Sequence, residues 1–388
     1  MSQIPLCVPH LGGNEARYLE ECVATNFVSS VGPFVDRFES LVAGAAGTRC
    51  AVATTSGTAA LHIALLLAGV KPDDEVLVST LTFIAPANAI RYVGAWPVFV
   101  DAEPRYWQMD TDLLADFLER DCEWVRGELR NRETKRRVAA ILPVHILGHP
   151  VDMNPLLELA RRYDLRVIED ATESLGATYR DQQVGRLGDI ACFSFNGNKL
   201  VTSGGGGMVV TDEEAWAKQA RYLTTQAKDH PIEYEHGEIG YNYRLTNVQA
   251  ALGCAQMERL EEHLAAKRRI AREYNSAFQG LRGVTLMEES PWAISACWMY
   301  TVLIDEQETG IGSRALLEAF AAEGIQTRPL WQPLHRSKAH KGMPQTLCST
   351  AERLSRDGLS LPCSVGLTNA EQQRVIEVFK GLLRGGAW

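Results

Sequence analysis

The 388-residue chain has little of what ties a protein to a membrane, a nucleic acid or a metal. No apolar run approaches the roughly 20 residues that a membrane-spanning helix needs. Its first residues, Met-Ser-Gln-Ile-Pro, carry no basic stretch leading into an apolar core, so no secretory leader is expected. Positive charge is in deficit: 39 Lys and Arg against 48 Asp and Glu leave a formal charge of −9. That disfavours broad contact with nucleic acid or an anionic lipid surface, while leaving room for a local basic pocket. The nine cysteines are scattered, with no CxxC pair. An odd number without ligand spacing predicts a reducing, cytoplasmic setting and no metal site. Internal repeats and low-complexity linkers are also missing.

What is present is the composition of a globular protein, 46% hydrophobic and 22% charged, at a length that predicts two domains. Between residues 50 and 211 short β-rich runs alternate with helical patterns. Seven strands are expected, at 50–54, 75–79, 96–100, 138–144, 166–169, 191–195 and 208–210, with helices at 59–67, 112–120 and 153–163 between them. Several strands are unbroken apolar runs, as when helices cover both faces of a mostly parallel sheet. The charge-dense stretch 121–137 reads as a solvated helical surface or loop. Near residue 246 the texture changes. A long or kinked helix is expected over 247–278, a strand over 297–304, and helices over 313–323 and 369–383. The predicted architecture is a large α/β domain with a mostly parallel seven-stranded sheet over 1–250, and a smaller α+β domain over 251–388.

Three segments carry chemistry. Ser56-Gly57-Thr58 leads from a strand into an apolar helix, where free N–H groups and hydroxyls make either an anion site or a plain helix cap. Asp170 ends a buried strand, where ligands of open α/β sheets bind and where turn-forming Asp residues also sit. A carboxylate placed there would keep a pyridine nitrogen protonated. Of the nine lysines, eight have the polar neighbours of surface lysines. Lys199 alone follows an apolar strand and precedes four glycines, Gly204 to Gly207. A partly desolvated lysine suits Schiff-base chemistry, and the glycines permit positive φ and close backbone approach. A Walker loop is excluded because its glycines precede its lysine, and GGGG does not match GxGxxG. Together the segments follow the order phosphate cradle, pyridine-nitrogen partner, Schiff-base lysine.

In that combination the sequence resembles the DegT-type sugar aminotransferases, which have the aspartate-aminotransferase fold (fold type I) of pyridoxal-phosphate (PLP) enzymes. The motifs SGTAAL, the TF of Thr82-Phe83, IEDATESLGA, FSFNGNK with its glycines, and GYNYRLTNVQAALG carry the resemblance, which runs from Asn26 to Leu367. Within the family it is most similar to the branch acting on UDP-linked 4-keto-6-deoxy-N-acetylhexosamines, en route to bacillosamine or legionaminic acid. GDP-perosamine synthases are the next neighbours.

The resemblance implies a PLP-dependent transfer of nitrogen from L-glutamate to C4 of a nucleotide-linked keto sugar. By position, Lys199 matches the Schiff-base lysine and Asp170 the pyridine-nitrogen partner. Phe83 matches an aromatic ring stacked on the cofactor, with a core Phe as the alternative. Ser56, Gly57, Thr58 and Ser194 match phosphate-binding positions. Asn242 matches an Asn that reaches the phosphate from a second subunit, which implies a homodimer with shared sites. Glu173 stands where Gln or His is common, so its bond to the cofactor's phenolic oxygen requires a proton on one partner. His145 either lines the site or is structural. Arg328 and His335 fall in or just after a segment resembling the family's substrate-side loop, and Arg328 would meet a donor carboxylate or a nucleotide phosphate. The family's sugar dehydratases carry His in place of the lysine and are disfavoured by Lys199. An amino-acid aminotransferase or a non-catalytic PLP-binding regulator are the remaining alternatives.

Overall fold

The computed structural model describes residues 3–230 and 232–385. The outermost residues of both expected domains, 1–2 and 386–388, lie outside the described residues, as does Pro231. Seven strands form the large sheet: β1 Cys50–Thr54, β2 Glu75–Ser79, β3 Trp96–Val100, β4 Val138–Leu142, β5 Arg166–Asp170, β6 Ile190–Ser194 and β7 Gly207–Thr211. Their order is β3-β2-β4-β5-β6-β7-β1, with β7 antiparallel to both neighbours and every other pairing parallel. β2 and β4 are buried along their whole length. Side chains alternate between two faces, so Ile168 joins one hydrophobic cluster with Leu61 and Ile63 while Val167 joins another with Leu114 and Leu156. Each such side chain contributes roughly 1.5–3 kcal/mol on full burial. β1, β5 and β6 run the same way, which brings Ser56, Asp170 and Ser194 to one edge of the sheet.

Two expectations need correction. The charged stretch 121–137 forms an antiparallel hairpin, Cys122–Val125 with Glu128–Asn131, turned at Arg126-Gly127 where both φ angles are positive (52° and 83°). The charges pair along its exposed side, Arg132 and Lys135 with Glu123, while Leu129 and Cys122 are buried. The stretch 247–278 is two helices, Asn247–Met257 and Leu260–Phe278, the first opened by a capping box of Thr246 and Gln249. At the break, Glu258 accepts from Arg37 and the Tyr18 hydroxyl, both at 2.6 Å.

The C-terminal sheet has strands β8 Val284–Leu286, β9 Tyr300–Ile304, β10 Arg328–Pro329 and β11 Gly358–Leu361 in the order β8-β9-β11-β10, all antiparallel. The chain's first described residues join this unit: Ile4 pairs with Ile325, and Cys363 N–H donates to the Leu6 carbonyl at 2.7 Å. Among the described residues, no helix is long and apolar enough to cross a membrane.

Candidate active site

A cavity of about 760 Å³ opens between the sheet edge and the C-terminal unit. Ser56, Gly57, Thr58, Phe83, Asp170, Glu173, Ser194 and Lys199 line one side, and Trp298, Arg328 and Trp331 line the other. Of the two readings of Ser56-Gly57-Thr58, the helix cap is seen directly. Ser56 caps the helix Gly57–Leu67, its Oγ accepting from Ala59 N–H at 3.1 Å. The first-turn N–H groups, which have no carbonyl in their own helix, face the same cavity as Ser194. Gly57 must lack a side chain, since a Cβ there would lie 2.8 Å from that of Ser194. The glycine run serves a second close approach: a Cβ on Gly207 would lie 2.3 Å from the Ser56 carbonyl, and Gly204 and Gly206 have φ of 77° and 132°.

Asp170 is 2% exposed and accepts from Thr172 N–H at 3.1 Å. Burial pushes its pKa up, opposed by those bonds and by the Lys199 charge. Glu173 is buried beside it, accepting from Leu147 N–H at 2.8 Å, with Lys199 Nζ 3.5 Å from its other oxygen. Desolvation, with Asp170 adding repulsion, pushes the Glu173 carboxyl up to about 7. The chain turns through Leu147 and Gly148 at φ of 59° and 94°, where Leu147 N–H bonds Glu173. Lys199 is largely enclosed, its Nζ 4.0 Å from the centre of the Trp298 ring, whose Nε1 donates to the Asn198 carbonyl at 2.8 Å. Phe83 is 59% exposed at the cavity edge, so the core-residue alternative falls away.

Three expected site residues do not line this cavity. His145 and Glu169 are both fully buried, and the imidazole Nε2 lies 3.0 Å from the carboxylate. Its Nδ1 accepts from Val151 N–H at 3.0 Å, so the ring hydrogen is on Nε2 and both ring nitrogens are bonded within the core. His335 is held between Thr80 Oγ1 at 2.8 Å and Glu352 at 3.1 Å. Asn242 is exposed and its backbone bridges Thr225, next to Tyr243, whose carbonyl accepts from Thr55 N–H. The Arg328 guanidinium lines the cavity with no hydrogen bond or ion pair among the described residues, while its backbone pairs with Ser360. Trp298 and Leu147 were not foreseen: each is far in sequence from the residue it touches, and neither stands in a recognisable motif.

An open α/β edge that gathers a helix N-terminus, two buried carboxyls and one enclosed lysine is matched across residues 9–380 by a single family model. The chain belongs to the DegT/DnrJ/EryC1/StrS aminotransferase family. It is 40% identical over 384 residues, 99% of either chain, to a GDP-perosamine synthase from Caulobacter vibrioides. It is 35% identical over 349 residues, 89% of this chain and 88% of the other, to a UDP-N-acetyl-3-dehydro-alpha-D-glucosamine 3-aminotransferase from Acidithiobacillus ferrooxidans. The crystal structure of DesV from S. venezuelae superposes with a TM-score of 0.85 at 30% identity, covering 95% of this chain and 94% of that one.

As a DegT-family aminotransferase the enzyme uses pyridoxal 5′-phosphate and acts on nucleotide sugars. The residues present fit that cofactor. Asp170 is a buried carboxyl that desolvation pushes toward protonation, and no side-chain cation within salt-bridge distance pairs with it among the described residues; a protonated pyridine nitrogen would be such a cation. The helix N-terminus with its hydroxyls suits a phosphate, and the exposed Phe83 ring offers a flat apolar face.

Proposed function

We propose that this enzyme moves an amino group from L-glutamate to C4 of a nucleotide-linked 4-keto-6-deoxy sugar, with Lys199 as the covalent attachment point and proton carrier. The observation that carries the reading is the convergence of Lys199, Asp170 and Glu173 on one cavity, with an unpaired guanidinium, Arg328, at its wall. Ser56, Gly57, Thr58 and Ser194 would hold the cofactor phosphate, Phe83 its ring and Asp170 its pyridine nitrogen. When bound, the cofactor supplies an electron sink. Lys199 would hold the cofactor covalently, and its Nζ would take and return the proton at the substrate carbon. Glu173 lies 3.5 Å from that nitrogen with a pKa of about 7, which suits it to exchange a proton there at neutral pH. Trp298 covers Nζ and limits water. Arg328 receives the glutamate carboxylate or a nucleotide phosphate.

The 40% identity to a GDP-perosamine synthase supports a GDP-linked 4-keto-6-deoxymannose as acceptor. The expected UDP-linked N-acetylhexosamine is the second reading; the 35% identical UDP-N-acetylglucosamine relative supports the nucleotide and the hexosamine, while its own amination is at C3. A homodimer is part of the proposal. Exposed Phe27, Val28 and Val31, with Ile239 beside Asn242, are apolar groups that a second subunit would cover. The test has two stages. The visible band of the purified holoenzyme should bleach on addition of L-glutamate. The aminated enzyme should then be discharged by one member of a panel of GDP-, UDP- and dTDP-linked 4-keto sugars. A band insensitive to glutamate and other amino donors would mean a binding protein and not a transaminase.

A further inference from the structure

Lys267 has the charged sequence neighbours of a surface lysine, yet it is 2% exposed. It shares the inner stripe of helix Leu260–Phe278 with Leu264, Ile270 and Tyr274. Enclosing an ammonium costs several kcal/mol unless it is paired. Its partners here are the Trp298 carbonyl at 2.8 Å, Cys7 Sγ at 3.5 Å and Cys363 Sγ at 3.6 Å. Both sulfurs thus sit within 3.6 Å of the same Nζ. Cys7 comes in on the N-terminal segment and Cys363 follows β11. The bond from Cys363 N–H to the Leu6 carbonyl joins these segments. Chains hydrogen-bonded in this way lie about 5 Å apart, within the span of a disulfide. Cys363 is buried, while Cys7 is partly exposed.

Electrostatics separate the two thiols. The neighbouring Cys363 thiol and the nearby Lys267 charge outweigh burial and bring Cys7 down to about 5. The neighbouring Cys7 sulfur, with burial, pushes Cys363 well up. Burial works against the Lys267 charge, but the two sulfurs more than compensate and raise its pKa. The Lys267 ammonium thus favours ionisation of Cys7, the more accessible sulfur, over Cys363.

We infer that Cys7 and Cys363 form a peroxide-responsive thiol pair, with Lys267 as the fixed cation that activates Cys7. The Cys7 thiolate attacks hydrogen peroxide: an S–O bond forms, the O–O bond breaks, and the departing oxygen takes a proton and leaves as water. Cys363 then attacks the Cys7 sulfur: an S–S bond forms, the S–O bond breaks, and the hydroxyl leaves as a second water with the Cys363 proton. Two thiols lose two electrons, and one peroxide becomes two waters. The pair adjoins the reacting lysine. Cys7 Sγ lies 3.5 Å from the Asn198 carbonyl, and Cys363 Sγ lies 3.7 Å from that of Trp298. Asn198 precedes Lys199, and the Trp298 ring covers it, so bridging the sulfurs shifts contacts on both walls of the lysine.

The test uses the full-length holoenzyme and hydrogen peroxide. After stoichiometric exposure, free thiols are blocked with iodoacetamide and the protein is digested without reductant for mass spectrometry. The expected product is the Cys7 peptide joined to the Cys363 peptide, two hydrogens lighter than the separate thiols and released by dithiothreitol. Cys363→Ser should stop at a sulfenic acid on Cys7, which dimedone captures. Lys267→Met should slow Cys7 alkylation near neutral pH about tenfold and move its midpoint toward that of an ordinary thiol, about 8.5. Amino transfer by the bridged enzyme should fall and recover with dithiothreitol, while Cys7→Ser keeps its rate in peroxide. A Cys7 still free after peroxide, or bridged elsewhere, would overturn the pair in the wild-type protein, whatever the variants do. An unchanged midpoint in a folded Lys267→Met would remove Lys267 from it, and an unchanged rate in bridged enzyme would refute the link to Lys199.

Discussion

The Nζ of Lys199 lies 3.5 Å from Oε1 of Glu173, and this carboxyl has a pKa of about 7. A salt bridge would normally hold a carboxyl low, but here desolvation outweighs the ammonium. The folded protein thus keeps a proton on Glu173 that the unfolded chain has already released. Stability conferred by such a group is present below the unfolded value of 4.5 and is lost as pH rises through about 7. A shift of that size corresponds to about 3 kcal/mol. In cofactor-free protein, Glu173→Gln should remove this loss. Its advantage over wild type in urea denaturation should be absent near pH 4.5 and grow to its full value above pH 7. Parallel pH curves for the two proteins would show that the carboxyl is ionised throughout.

Lys199→Ala should abolish turnover while leaving the melting temperature near that of wild type, because the loss is chemical and the side chain makes few structural bonds. Borohydride treatment of the wild-type holoenzyme should fix the cofactor on Lys199 alone. Label on any other lysine would end the assignment.

Asp170→Asn should retain bound cofactor and lose activity by several orders of magnitude, since an amide cannot hold the pyridine nitrogen protonated. The buried site tolerates the neutral group, as its carboxyl is already pushed toward protonation by desolvation. A near-normal rate in this variant would move the pyridine partner elsewhere.

His145→Ala should act on stability instead. It strips Glu169 of one hydrogen bond and Val151 N–H of its acceptor, both fully buried, at a cost of about 2–4 kcal/mol. Glu169 also accepts from Leu187 and Gly188 N–H at 2.8 Å, so the damage should spread to that loop. Urea denaturation should show the loss while the rate per folded enzyme changes far less than in Asp170→Asn. A large rate loss at unchanged stability would return His145 to the site.

What could be read in advance follows from chemistry that is local in sequence. Strands such as Val138–Leu142 are apolar on both faces, and the chemical residues sit at their ends, so both sheet and site edge are legible. The hairpin after Asp121 was obscured because its charges suggest a solvated surface, although Arg126-Gly127 marks the turn. Lys267 was hidden by Arg268 and Arg269, though its spacing from Leu264 and Tyr274 puts it on a buried stripe. His335 and Trp298 depend on contacts across 255 and 100 residues, to Thr80 and Asn198, that no local pattern encodes.

The subunit boundary is testable through Asn242. It does not line its own chain's cavity, yet it is exposed on a segment hydrogen-bonded beside Thr55. If it reaches the phosphate of a partner's cofactor, each site needs both chains in two-fold symmetry. Lys199→Ala and Asn242→Asp should then each be poor alone, the second because it sets a carboxylate against a phosphate. In a mixed dimer of the two, one site carries both lesions and the other draws wild-type Lys199 and Asn242 from opposite chains. Co-expression with two different tags isolates these hybrids. Activity well above both parents, approaching about half the wild-type value per dimer, is the expected result. Hybrids that only average their parents would place Asn242 in its own chain's site or away from any site.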